Sequence, residues 1–489
     1  MSLRIPAAKL APLKDLPVEG TAAYRVLAGG IRDWLMDGRL VPGTVLPSER
    51  ALTATLGVSR TTVTRAYQEL VKEGYAATRR GSGTVVRFPG AGPRRLSPFG
   101  PQLTDPTDDQ VDFTCAASAA PPGLMGAVEA AMCELGAHAR GIGYHPRGMP
   151  ALREAVAQRY RDRGVPTSAE NILIVPGALA GAAVVARARV RAGDRVLIES
   201  PTYPNVTEAL RAERARLVGI GVAGGWHGAE IAQAVARTRP RLAFLIPDYH
   251  NPTGTLMDDA TRAEIAQILD AGESTAVIDE TMAELDLSGD DGLARPAPFA
   301  AYSASALTIG SMSKSFWGGI RVGWIRAPRH DMEALHAASL TFSLGCSALD
   351  ELVAVHLLAD AEHIVAARRA ALRQARDSLA GLLRTHLPTW EFTLPPGGLT
   401  LWCRLPEPVA VTVAAEAERL GVYVVPGVRF AVGGGMAHHV RLPYAGDPAT
   451  FLGAVERLRS AYDAALRAPS SLPTPRDPVT LGERDALIA

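Results

Sequence analysis

Short apolar runs alternate with helix-period patterns over most of this chain, and the alternation changes character near residue 110. Before it, apolar residues at Tyr24, Leu27, Ala28, Ile31 and Leu35 recur with the spacing of one helix face. The turn Val41-Pro42-Gly43 ends that helix. Pro47-Ser48-Glu49-Arg50 opens a short second helix with Ser48 as its N-cap, and Leu56-Gly57-Val58 closes it. Ser59 caps a third, SRTTVTRAYQELVKEG, with Val63, Ala66, Tyr67, Leu70 and Val71 as its buried stripe and Gly74 as its stop. Two short helices joined by a tight glycine-containing turn predict a helix-turn-helix. The stretch from Thr78 to Val86, with Gly81-Ser82-Gly83 at its tip, predicts a hairpin that makes the unit winged.

Residues 88–111 are rich in proline, glycine and charge, have no apolar period, and read as a linker. Beyond them, helical patterns such as ALREAVAQRYRDRG alternate with the strands NILIVPG, DRVLIES, RLAFLIPD, TAVIDE and LTIGSMS, which predicts βαβ units and a mainly parallel sheet. A chain of 489 residues is too long for one core. The reading is a head over residues 1–87, the linker, a body over 112–467 and a disordered tail over 468–489.

Composition narrows the class. The hydrophobic fraction of 47% is that of a globular protein, no run of eighteen uncharged apolar residues occurs, and the N-terminus lacks the apolar centre of a signal peptide. Neither membrane insertion nor secretion is expected, and the cytoplasm is the default. Cys115, Cys133, Cys346 and Cys403 lie far apart, which argues against a zinc site or a disulfide framework and predicts buried free thiols. The net charge of +1 hides an asymmetry: the first 90 residues hold 13 Lys and Arg against 7 Asp and Glu, the remainder 38 against 43. A basic head on a mildly acidic body predicts a polyanion partner for the head. With the stripe of the third helix inward, Ser59, Arg60, Thr61, Thr62 and Arg65 stand at the end that enters the major groove, where arginine grips guanine. Arg50, Arg79, Arg80 and Gly81 are placed for phosphates, with a solvated charged face as the alternative for any one arginine.

The ends of parallel strands gather functional groups. Here they offer Tyr203, Asn251, Asp279 and the run Ser311-Met-Ser-Lys314, converging on one cleft. An unpaired buried ammonium is costly, so Lys314 is either salt-bridged or an amine with covalent work to do.

The stretch PSERALTATLGVSRTTVTRAYQELVKEG closely resembles the GntR-type winged helix-turn-helix, and the likeness runs through the wing. In the body, YHPRGMPALREAVA, ESPTYPN, HNPTG, VIDE, SMSK and the following Arg321 resemble, in order, the fold-type I, pyridoxal-phosphate-dependent aminotransferases over roughly residues 112–465. A head and body so joined resemble the MocR family of transcriptional regulators. The resemblance implies a multidomain fold: an α+β winged helix-turn-helix, then an α/β fold-type I body with a mainly parallel sheet and a smaller C-terminal α+β subdomain. The implied cofactor is pyridoxal 5′-phosphate. Lys314 would form the Schiff base, Asp279 pair with the pyridinium nitrogen, Asn251 bond the phenolate oxygen and Tyr203 stack on the ring. Ser311, Ser313 and Arg321, with the backbone of Gly177 and Ala178, would hold the phosphate. Tyr144 either reaches a phosphate across a dimer or packs. Arg441 falls where the family binds an amino-acid carboxylate, with Arg429 as a nearby competitor.

The resemblance implies a homodimer that binds a double-stranded DNA operator and senses an amine, an amino acid or the cofactor itself. A working aminotransferase with an autoregulatory head is the alternative. Two departures weigh on that alternative. Pro176-Gly-Ala-Leu-Ala180 stands where the family often has Ser-Gly-Ala-Gln-Gln, and Thr281 and Met282 stand where many relatives carry a tyrosine. Cofactor binding is expected to survive both, while efficient transamination is not.

Overall fold

The computed structural model describes residues 4–15, 22–36, 39–40, 44–79, 83–87, 110–222, 224–289 and 295–467. The turn 41–43, Arg80 and Gly81 at the wing tip, nearly all of the linker and the tail 468–489 lie outside the described residues. Two compact units emerge, Met1–Arg94 with Tyr462–Ala489, and Arg95–Ala461.

In the first unit, helix α1 (Ala23–Met36) buries Leu27, Ala28, Ile31 and Leu35, while Tyr24 is only half-buried. Helix α2 (Glu49–Leu56) starts where the Ser48 hydroxyl accepts the Ala51 N–H at 3.2 Å and stops at Gly57, whose φ of 69° a side chain would resist. Helix α3 (Arg60–Lys72) starts the same way: Ser59 Oγ accepts the Thr62 N–H at 3.1 Å. It buries Val63, Ala66, Tyr67 and Leu70 but leaves Val71 37% exposed. Eight residues on from Val63, at about 100° each, Val71 has turned about 80° off the stripe. The Tyr67 hydroxyl donates to the Pro47 carbonyl at 2.9 Å, fixing α3 against the entry to α2. Strands β1 (Ala76–Arg79) and β2 (Gly83–Val86) pair antiparallel as the wing.

The second unit is built on seven strands: β3 (Ile172–Val175), β4 (Arg195–Ser200), β5 (Arg216–Gly221), β6 (Leu242–Leu245), β7 (Thr275–Asp279), β8 (Leu307–Ser311) and β9 (Gly323–Arg326). Their order is β3-β9-β8-β7-β6-β4-β5. Strands β5, β4, β6, β7 and β8 run parallel, and β9 enters antiparallel between β8 and β3. Side chains alternate across the sheet. Val196, Ile198, Phe244, Val277 and Ile309 pack with Val184 and Val185 of helix α4 (Ala178–Arg189) on one face. Leu197, Ala243, Leu245, Ala276 and Ile278 pack with Ile231 and Ile265 on the other. The five strands expected from apolar runs all form; β5 and β9 are additions.

Toward the C-terminus, β10 (Thr400–Arg404), β11 (Val425–Pro426) and β12 (His439–Pro443) make an antiparallel sheet in the order β10-β12-β11, beside the helix Ala410–Arg419. All four cysteines are free, but only Cys403 is buried; Cys133 is exposed, where burial was expected. Among the described residues, no helix is long and apolar enough to cross a membrane.

Candidate cofactor and ligand site

Five strands deliver groups to the same edge of the sheet. Asp279 is the last residue of β7 and Ser311 of β8, Lys314 follows β8, and Gly177, Tyr203 and Asn251 follow β3, β4 and β6. Asp279 Oδ1 accepts the Thr281 N–H at 2.8 Å and also the Thr281 hydroxyl. Burial raises the Asp279 pKa, against the pull of those two bonds and of the Lys314 charge. Lys314 Nζ donates to the Ala116 carbonyl at 2.7 Å. Burial lowers its pKa, and Arg441 and Arg321 add to the effect while Cys115 and Asp279 oppose it. Lys314 is the only lysine after Lys72. Glu280, one residue beyond Asp279, takes the opposite face and accepts the Tyr160 hydroxyl at 3.1 Å.

A second group forms where β3 turns into α4. Gly177, at φ 91°, is the N-cap of α4 and supplies no side-chain cap, so the amides that begin at Ala178 stay open. Arg321, itself left-handed at φ 49°, donates from Nη2 to the Pro176 carbonyl at 2.9 Å. A Cβ added at Gly177 would stand 2.9 Å from that same nitrogen, so only glycine lets the guanidinium lie over the turn. Ser311 and Ser313 join by their hydroxyls at 2.9 Å. A helix N-terminus, a guanidinium and two hydroxyls around a turn without a Cβ fit a phosphate monoester. Leu179 and Ala180 add no polar group to it.

The third group faces these from the C-terminal sheet. Arg441, in β12 and 6% exposed, donates from Nη1 to Asn251 Oδ1 at 3.2 Å and from Nη2 to the Thr114 carbonyl at 2.5 Å. Its Nε is buried and meets no acceptor among the described residues. Its guanidinium lies 4.9 Å from the centre of the Phe430 ring, and burial lowers its pKa to about 10, which leaves it a cation at neutral pH. Tyr203 accepts the Asn205 amide at 2.9 Å, and burial raises its pKa, with Asp279 and Arg441 among the charges it feels. Lys314, Asp279, Asn251, Tyr203, Arg441 and Arg321 thus form one neighbourhood. Tyr144 is 61% exposed, and Arg429 answers chiefly to burial and to Glu208. Cys115 was missed: its neighbours Thr114 and Ala116 hold Arg441 and Lys314, but a run of small residues carries no periodic signal.

In the head, Arg60 Nε lies 3.3 Å from Glu49 Oε2, and Arg65 sits 5.9 Å from the centre of the Tyr24 ring. Ser59 Oγ is committed to the cap of α3 and to the Thr62 hydroxyl at 2.8 Å, so Ser59 and Thr62 shape the helix start more than they offer free groups. Arg60, Thr61 and Arg65 line a surface hollow of about 430 Å³ with Glu49, Thr64 and Gln68, three residues the sequence reading left out. Arg50 is exposed.

Residues 109–458 match the family described as aminotransferase class I and II, and residues 23–86 match the gntR family of bacterial regulatory proteins. The probable rhizopine catabolism regulatory protein MocR of Rhizobium meliloti is 28% identical over 484 residues, 93% of this chain and 96% of that protein. The uncharacterized HTH-type transcriptional regulator YisV of Bacillus subtilis is 26% identical over 454 residues, 86% of this chain and 92% of that protein. The body is similar to the crystal structure of the α-aminoadipate aminotransferase LysN from Thermus thermophilus, solved with N-(5′-phosphopyridoxyl)-L-leucine. That likeness has a TM-score of 0.69 and 26% identity, and covers 78% of this chain and 98% of that one. The chain belongs to the aminotransferase class I and II family, whose cofactor is pyridoxal 5′-phosphate, and joins to it a gntR-family helix-turn-helix domain in the arrangement of the MocR-type regulators.

Proposed function

We propose that this chain is a transcriptional regulator whose head binds a double-stranded DNA operator and whose body senses an amine, an amino acid or pyridoxal 5′-phosphate itself, acting as a homodimer in the cytoplasm. The observation that carries the reading is the union of both matches on one chain, aligned over 93% of its length with a named regulatory protein. In this reading the domains run over 1–87, 88–111 and 112–467, with a tail beyond. Lys314, Asp279, Asn251 and Tyr203 hold the cofactor ring; Gly177, Ala178, Ser311, Ser313 and Arg321 hold its phosphate; Tyr144 of a second copy completes that cup.

When bound, pyridoxal phosphate supplies an aldehyde that condenses with primary amines and a ring that withdraws electrons. The chain supplies the rest. The lowered pKa of Lys314 leaves more of its Nζ unprotonated near neutral pH, as attack on a carbonyl needs. Asp279, steadied by Thr281, would keep a proton on the ring nitrogen of the cofactor. Arg441 selects ligands that carry a carboxylate. A ligand that favours one arrangement of the dimer then shifts the heads by its differential affinity. Footprinting of the promoter beside the gene, with and without pyridoxal phosphate and a panel of amines, tests this. A footprint indifferent to all of them would remove the sensing role.

The presence of Lys314, Asp279 and Arg441 in one neighbourhood favours a second reading, a working aminotransferase. Leu179, Ala180, Thr281 and Met282 weigh against it, because a loosely held ring misaligns the bond to be broken and costs on the order of a hundredfold in rate. Multiple-turnover keto-acid production in the ordinary range of about 1–1000 per second would promote this second reading over the first.

A further inference from the structure

Behind the ring-binding residues, the segment that follows β7 is clasped by arginines. Arg369 Nε donates to the Glu284 carbonyl at 2.7 Å, Arg159 pairs with the Glu284 carboxylate, and Arg373 Nε and Arg376 Nη1 donate to the Leu287 carbonyl at 3.1 and 3.4 Å. The carboxylates in this region are already engaged, Glu280 through one oxygen only. Asp248 holds the buried Arg262 at 2.9 Å, Asp286 accepts the Ser288 N–H at 3.0 Å, and Glu280 accepts the Tyr160 hydroxyl.

Two more guanidiniums enter without such partners. Arg163 Nη2, and both Nε and Nη2 of Arg295, are buried and meet no acceptor among the described residues. The hydroxyl of Tyr249, a side chain only 2% exposed, is buried and unpartnered in the same way and feels the carboxylates of Asp286 and Asp248 and, less strongly, the charges of Arg295 and Arg369. Glu280 Oε1 is a fifth such atom; burial raises the Glu280 pKa and so favours the protonated form, which donates. Burial and the charge of Arg163 push the Arg295 guanidinium down to about 10, and Asp248, already held by Arg262, only partly offsets them.

The identity of the free atoms says what is missing. Nε and Nη2 share one edge of a guanidinium, the fork that takes two oxygens of a carboxylate or phosphate side by side. The geometry points to a second oxyanion site, separate from the cofactor cup, in which Arg295, Arg163 and the Tyr249 hydroxyl take a carboxylate or phosphoryl group of a small ligand. Beside it, Arg369 and Arg373 line a hollow of about 230 Å³ with Asp286, Gly289, Ala366 and Ala370, which gives the remainder of such a ligand room. The site backs directly on the cofactor neighbourhood: Tyr249 is two residues from Asn251, and Glu280 is bonded to Asp279. An anion held there acts on both ring-binding residues through the main chain.

The test uses the full chain loaded with pyridoxal phosphate, so that the cofactor cup is filled. Its thermal midpoint is followed against inorganic phosphate and, separately, succinate at constant ionic strength. The expected result is a saturable rise with at least one anion, and which one distinguishes a phosphoryl from a carboxylate ligand. The rise disappears in Arg295→Gln and persists in the surface variant Arg404→Gln. In buffer free of both anions, Arg295→Met melts at or above the unmodified chain, because it removes a buried cation whose Nε and Nη2 have no acceptor among the described residues. No saturable rise with either anion, an equal rise in Arg295→Gln, or an Arg295→Met variant that melts well below the unmodified chain each overturns the proposal.

Discussion

Arg441 and Asn251 share a hydrogen bond of 3.2 Å, which ties the proposed carboxylate-binding cation to the proposed partner of the cofactor ring. Both terminal nitrogens of Arg441 are already engaged, one by Asn251 and one by the Thr114 carbonyl, and only the buried Nε is spare. An incoming carboxylate therefore competes with Asn251, and its arrival is felt at the ring.

Replacing Arg441 by lysine should separate ligand binding from cofactor binding. A lone ammonium loses the fork, so amino-acid ligands should bind about 1.5–3 kcal/mol more weakly, roughly 10- to 150-fold, while cofactor affinity changes little. Titration of the cofactor's visible absorbance with amino acids, and with the matching amines that lack a carboxylate, measures both. An equal loss for both ligand sets would remove Arg441 from the carboxylate role.

The single lysine of the body makes the next outcome unambiguous. Borohydride treatment of the cofactor-loaded protein, followed by peptide mapping, should label Lys314, because the other lysines are Lys9, Lys14 and Lys72 in the head. Label confined to the head would show that the aldehyde had found a surface amine.

In the head, Arg60→Ala should weaken operator binding by about 1–3 kcal/mol if its guanidinium reads a guanine, with relaxed preference at that base. Arg79→Ala or Arg80→Ala should instead weaken all sequences alike and flatten the salt dependence. Gel shifts with operator and scrambled duplexes at several salt concentrations resolve the two patterns. A uniform, salt-sensitive loss for Arg60→Ala would reassign it to the phosphates.

Glu351 gives the pH prediction. It is fully buried, Oε2 accepts the Met149 N–H at 2.5 Å, and burial pushes its carboxyl up from 4.5 to about 7. Between those values the folded chain binds more protons than the unfolded one, so this group's contribution to stability falls as pH rises from about 4.5 to 7. Glu351→Gln removes that dependence. Relative to the unmodified chain it should gain stability above pH 7, by an amount on the order of 1–3 kcal/mol. Parallel pH profiles of the thermal midpoints would reject the assignment.

The sequence speaks most clearly where an element carries its own signal. Strands β3, β4, β6, β7 and β8 are apolar runs with turn residues beyond them, and each was readable. Strand β5, at the sheet edge and half-exposed, lacks such a run. Strand β9 is four residues long, and although β8 lies just before it, its place in the sheet depends on pairing with β3, far away in sequence. The same division runs through the candidate sites. Lys314, Asp279, Asn251 and Arg321 lie in motifs at strand ends, whereas Glu49 beside Arg60, Cys115 beside Lys314 and Arg295 near Arg163 are products of tertiary approach. No local pattern announces a neighbour supplied by another element.

The antiparallel insertion of β9 has a consequence for size selection. It forces the chain leaving β8 to double back at once, so that Lys314 and Arg321 hang from one short connection whose two ends are pinned by the pairs Ser311 to Gly323 and Gly323 to Val175. The spacing between amine and guanidinium is thereby set by the sheet and not by a flexible loop. The connection works as a calliper: a molecule anchored at both jaws must match their separation to within the reach of the flexible lysine stem.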